Sequence, residues 1–102
     1  GRPDGEHRLG DRTLILNEGA CRLENGTLAG SVVTMDQSVR NMIDLGFDPK
    51  RAIAAATTAP AALMRRPDLG VLEPGKVADV CVLDDSYRVI RTVVDGEESF
   101  AI

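Results

Sequence analysis

A chain of 102 residues with 43% apolar and only 3% aromatic side chains is one domain at most, its core drawn from Val, Leu, Ile, Met and many Ala. Small aliphatic side chains each bury little area, which argues against much stability in isolation. A formal net charge of −4 argues against the clustered basic surface of a nucleic-acid binder. No run of about 18 apolar residues is present to span a membrane, and no signal-peptide pattern opens the chain. Cys21 and Cys81 show no metal-type or CxxC spacing. They read as free, buried thiols of a reducing, cytoplasmic compartment, with a disulfide as the alternative. The opening Gly1-Arg2-Pro3-Asp4-Gly5, with the first methionine at Met35, leads us to expect a processed or truncated piece of a longer product.

In chain order, residues 1–12 are polar and glycine-rich and read as loop. Thr13–Leu16 and Ala20–Leu23 are β-prone runs around Asn17-Glu18-Gly19, the pattern of a hairpin with a three-residue, bulged turn. Glu24-Asn25-Gly26 reads as a second turn and Thr27–Ser31 as a short glycine-containing connection. Thr34 with Gln37 three residues on has the form of a capping box. Met35, Val39, Met42 and Ile43 then make one apolar helical stripe, closed by Gly46. Asp48-Pro49 predicts an N-cap and first helical position for a helix to about Thr57, rich in alanines that suit close packing. Pro60 suits the first turn of a short helix ending near Met64. Glu73-Pro74-Gly75-Lys76 is a turn, and Val77–Leu83, Val89–Val94 and Ser99–Ile102 form a meander through Asp84–Tyr87 and Asp95-Gly96. The order strands, helices, strands predicts an α+β arrangement in which the first hairpin and the last meander join one sheet. The helices between them need another surface to cover.

Groups able to carry chemistry are few. His7 is the only histidine and reads as a solvent-exposed loop residue without a partner to tune it. One histidine and two distant cysteines do not make a zinc site. Ser31 lacks the GxSxG elbow, and a single histidine leaves no serine triad. The pairs Asp84-Asp85 and Glu97-Glu98 read as solvated charges, because neighbours in a strand point apart. Lys76 reads as a turn-flanking charge, since Gly70–Gly75 is not a phosphate-binding loop. Thr27–Ser31 is the best local candidate. Its small residues permit close approach of a ligand to backbone N–H groups ahead of the helix at Met35, or else form a tight structural connection.

The stretches TLAGSVVTMDQSVRN (Thr27–Asn41) and GVLEPGKVADVCVLDD (Gly70–Asp85) resemble the C-terminal end of the N-acetylglucosamine-6-phosphate deacetylase family, within the amidohydrolase superfamily. The second stretch resembles the closing element of many amidohydrolases; the first is the specific part. Pro3-Asp4-Gly5-Glu6 and Leu9-Gly10 fit as well, with His7 standing where the family tends to have an aromatic residue. The resemblance covers nearly the whole chain. It implies a fragment of an α/β protein. Residues 1–33 would be loop, hairpin and loop after the last strand of a (β/α)8 barrel, 34–66 the last barrel helices, and 67–102 strands of an accompanying β-sandwich. The Pro74-Gly75-Lys76 turn would mark the return into that sandwich. Asp79 would either stabilise this turn through backbone N–H bonds or face solvent.

For function, the resemblance implies hydrolysis of N-acetylglucosamine 6-phosphate with a divalent metal, zinc or similar. The metal ligands and the catalytic aspartate of the family lie before the segment resembling Gly1 onward. This chain is therefore expected to hold no metal, to contain no catalytic residue and to be inactive alone. Only Leu28, Ala29 and Gly30 carry over, as substrate contacts on the loop after the last barrel strand. Homo-oligomerisation, or self-association through exposed apolar faces, is a further expectation. The alternatives are a different amidohydrolase acting on a cyclic amide, and a stand-alone, non-catalytic α+β binding module.

Overall fold

The computed structural model describes residues 2–102; the loop assignment of Gly1 lies outside the described residues. The elements are β1 (Gly5–Leu9), β2 (Arg12–Asn17), β3 (Ala20–Leu23), β4 (Leu28–Ser31), α1 (Met35–Asp44), α2 (Pro49–Ala56), α3 (Thr58–Leu63), β5 (Val80–Leu83), β6 (Val89–Val94) and β7 (Glu97–Ala101). The class is α+β. The chain divides between Thr34 and Met35 into two compact units. The expected single sheet is not formed: the first unit carries an antiparallel sheet of order β1-β2-β3-β4 and the second a separate one of order β5-β6-β7. Each sheet is a run of sequence neighbours joined by tight turns, so local closure satisfies the strands without long-range pairing. Among the described residues, no helix is long and apolar enough to cross a membrane.

In the first unit, β2 and β3 form the expected hairpin, with a tighter turn. Asn17 pairs with Ala20, leaving a two-residue turn of Glu18 and Gly19. Both have positive φ (48° and 79°), the backbone that matches the twist of the flanking strands. The segment read as loop is largely strand: β1 pairs in register with β2 from Gly5 opposite Leu16 to Leu9 opposite Arg12. Its residues are mostly exposed, so no burial pattern announced it. His7 lies on this strand, half-buried, with Nε2 2.7 Å from the Pro3 carbonyl oxygen. Cys21, on β3, is the one described residue of this unit that is buried.

In the second unit, α1 ends as its sequence requires. The N–H of Phe47 donates to the carbonyl of Met42 and that of Gly46 to Ile43, with Gly46 at φ 101°. These are the paired bonds of a Schellman cap, open to glycine because a Cβ is disfavoured there. Pro49 opens α2 with Asp48 before it, whose carbonyl accepts the N–H of Ala52. The Asp48 side chain makes no capping bond, correcting one part of the expectation. The capping box at Thr34 is replaced too. Gln37 Nε2 donates to Asn41 Oδ1 and Gln37 Oε1 accepts from Arg40, while the Gln37 N–H is met by Asp36 Oδ1.

Arg40 links α1 to the connection between β5 and β6. Its guanidinium donates to Asp36 Oδ2 at 2.8 Å, to Gln37 Oε1 at 2.9 Å and to the Tyr87 carbonyl at 2.9 Å. α1 packs on α2 and α2 on α3. Of the predicted apolar stripe only Val39 is buried, and of the alanines only Ala52. Leu63, Leu72 and Met64 remain 83%, 81% and 73% exposed, so the second unit encloses little of its own apolar surface.

The Glu73–Lys76 turn forms as read, with the Lys76 N–H on the Glu73 carbonyl and Gly75 at φ 86°. Strand β5 then starts at Val80 rather than Val77, because the Val77 N–H is drawn to the Asp68 carbonyl instead of a ladder. The Asp84–Tyr87 connection is organised by Asp84, whose Oδ1 accepts the N–H groups of Ser86 and Arg88. These donors, Arg88 first, hold its carboxyl below the usual carboxylate range. Asp95-Gly96 is a two-residue turn with both φ positive. Asp79 acts on that turn: its Oδ1 accepts the Asp95 N–H at 2.8 Å. It does stabilise a turn through a backbone N–H, but a distant one, not the adjacent Pro74-Gly75-Lys76.

Candidate functional site

Leu28, Ala29 and Gly30 lie on β4, a strand rather than the expected connection. All four β4 residues are exposed, and β4 is an edge of its sheet. An edge strand directs alternate N–H and C=O groups away from its neighbour, where they are available to other partners. The turn that delivers β4 is fixed by side chains. Asn25 Oδ1 accepts the Thr27 N–H at 3.0 Å, and Arg22 Nη1 donates to the Gly26 carbonyl at 3.0 Å. The Thr27 N–H is therefore committed, which removes it from the predicted ligand-binding set. Ser31 Oγ accepts the Val33 N–H at 3.1 Å, a local turn role.

Two features single out the predicted triplet. The register runs Ala20 to Ser31, Cys21 to Gly30 and then Arg22 to Leu28, so Ala29 is an extra residue with no opposite number. Such a bulge bends and twists its strand and re-aims the residues beside it. Gly30, moreover, is the one described glycine whose φ is not positive. A Cβ built on it meets nothing within 4 Å. Neither backbone conformation nor packing within the chain demands a glycine at this position, unlike Gly70, where a Cβ would fall 2.8 Å from the Thr57 carbonyl oxygen. The triplet carries no titratable side chain. It is suited to positioning a ligand by main-chain bonds, not to proton transfer.

The second unit holds an apolar groove of about 650 Å³, lined by Met35, Val39, Ile53, Val80 and their neighbours. Two of its acids are committed to structure, Asp36 to Arg40 and Asp79 to the Asp95 N–H. One acid of each adjacent pair likewise has a structural partner. Asp84 organises its turn, and Glu98 Oε2 lies 2.8 Å from Arg91 Nε on the neighbouring strand. Asp68 is held below the usual carboxylate range chiefly by its hydrogen bond with Arg66, whose own pKa is raised by the same contact. Both cysteines are free thiols, Cys21 buried and Cys81 exposed, which corrects the expectation that both are enclosed. Cys81 lies opposite Thr92, with its Sγ 3.8 Å from the threonine hydroxyl.

Among the described residues, no group of three or more His, Cys, Asp or Glu stands together as a metal site. The divalent metal implied by the resemblance thus finds no fitting ligand set among the described residues. The strongest polar cluster, Arg40 with Asp36, Gln37 and Tyr87, was missed in the sequence, although Asp36 and Arg40 at i and i+4 on one helix face were a readable signal.

Comparison with known proteins accounts for nearly the whole chain. It is 37% identical over 99 residues to the N-acetylgalactosamine-6-phosphate deacetylase of Escherichia coli O157:H7, covering 95% of this chain and 26% of that protein. It is 36% identical over 88 residues to the N-acetylglucosamine-6-phosphate deacetylase of Haemophilus influenzae, covering 84% of this chain and 23% of that protein. The crystal structure of N-acetylglucosamine-6-phosphate deacetylase from Thermotoga maritima is similar over 100% of this chain and 28% of its own, with a TM-score of 0.80 and 31% identity. The chain thus spans about a quarter of the length of these relatives. The profile of the amidohydrolase family matches residues 6–98, and the chain belongs to that family.

Proposed function

We propose that this chain is the C-terminal part of a cytoplasmic deacetylase that hydrolyses N-acetylglucosamine 6-phosphate to glucosamine 6-phosphate and acetate. The observation that carries this reading is the similarity of the entire chain, at a TM-score of 0.80, to one portion of a deacetylase of that name. In this reading residues 1–33 follow the last strand of a (β/α)8 barrel, 34–66 supply its last helices and 67–102 belong to a β-sandwich. The remainder of the enzyme covers the apolar side chains that the second unit leaves exposed. The divalent metal and its ligands belong to that remainder, since the described residues offer no ligand set.

Within this reading the chain contributes to substrate binding. Leu28, Ala29 and Gly30 contact the sugar phosphate through a bulged edge strand whose outward N–H and C=O groups meet its polar atoms. The open space over Gly30 supports this placement, because a ligand passing close to the backbone is a physical reason for glycine that the fold does not supply. Fixing the sugar while its amide is attacked lowers the barrier by removing orientational freedom before the reaction, an effect sensitive to displacements of about 1 Å. The galactosamine epimer is a second substrate reading, favoured by the 37% identity to an enzyme named for it. Steady-state kinetics of the full-length gene product on both epimers tests this. Acetate release from either supports the deacetylase reading, the higher kcat/KM assigns the epimer, and release from neither refutes it.

On its own the chain would self-associate, because its exposed Leu63, Met64 and Leu72 are apolar surface with no partner within the chain. Size-exclusion chromatography of the isolated chain should show species larger than a monomer; a monodisperse monomer would count against the missing-partner argument.

A further inference from the structure

We draw no further inference here: the strongest candidate, the apolar groove between α1, α2 and β5, carries nothing because nothing in the structure shows what covers it beyond the reading already proposed.

Discussion

The carboxylate of Asp79 accepts a hydrogen bond from the backbone N–H of Asp95, 16 residues along the chain, at 2.8 Å. The neighbouring Ala78 carbonyl accepts the N–H of Gly96 at 3.0 Å. The approach to β5 thus holds both residues of the β6–β7 turn, which lie beyond the last pair of that ladder, Val94 opposite Glu97. Asp79, just ahead of the apolar strand β5, therefore serves a turn between two other strands. Replacing Asp79 with alanine should cost about 1 kcal/mol, the ordinary worth of one hydrogen bond. Asp79→Asn, which keeps an acceptor oxygen, should cost less. Thermal unfolding of the full-length protein checks the order; equal midpoints for wild type and Asp79→Ala would refute the strut.

Arg40 satisfies three acceptors from one planar guanidinium, and only 18% of its side chain is exposed. Lysine carries the same charge on a single nitrogen and cannot present that fork. Arg40→Lys should therefore recover little of the loss caused by Arg40→Ala, which we expect to be about 2 kcal/mol from the loss of its charge-assisted hydrogen bonds at a partly buried site. Denaturant midpoints of the two variants decide it. Full recovery by lysine would mean that charge, not geometry, holds α1 to the β5–β6 turn.

Two glycines should respond in opposite ways. Gly70 has φ 77°, and a Cβ there would lie 2.8 Å from the Thr57 carbonyl oxygen. Gly70→Ala should destabilise by on the order of 2 kcal/mol from backbone strain and crowding. Gly30→Ala meets open space in an ordinary backbone region and should leave stability within about 0.5 kcal/mol. In the full-length enzyme the same Gly30→Ala change should raise KM for the sugar phosphate. An unchanged KM would remove Gly30 from the proposed substrate contacts without touching the assignment of the chain to its family.

What was legible in the sequence was local. Gly46 behind an apolar stripe, Asp48-Pro49 ahead of alanines, and Asp95-Gly96 after the β-branched Val93-Val94 each determine backbone conformation within a few positions, and each element formed there. β1 and β4 were missed because exposed strands have no alternation to read; they form by pairing with β2 and β3. Asp79 and Arg40 act across distances that no short window contains. The assumption of one sheet failed because each strand found a partner next to it in the chain. The triplet Leu28-Ala29-Gly30 came from family resemblance, and composition alone left it as either a ligand site or a connection. The bulge at Ala29 and the empty space at Gly30 are properties of the folded strand and are not visible in the residues Leu28–Ser31 themselves.

The central claim is that this chain is one part of a deacetylase whose catalytic groups lie elsewhere. The direct test is acetate release from N-acetylglucosamine 6-phosphate by the full-length gene product and by residues 1–102 alone, each assayed with added zinc. The account predicts turnover by the full-length protein and none by the isolated chain. Turnover by the isolated chain, or none by the full-length protein on either epimer, would contradict it.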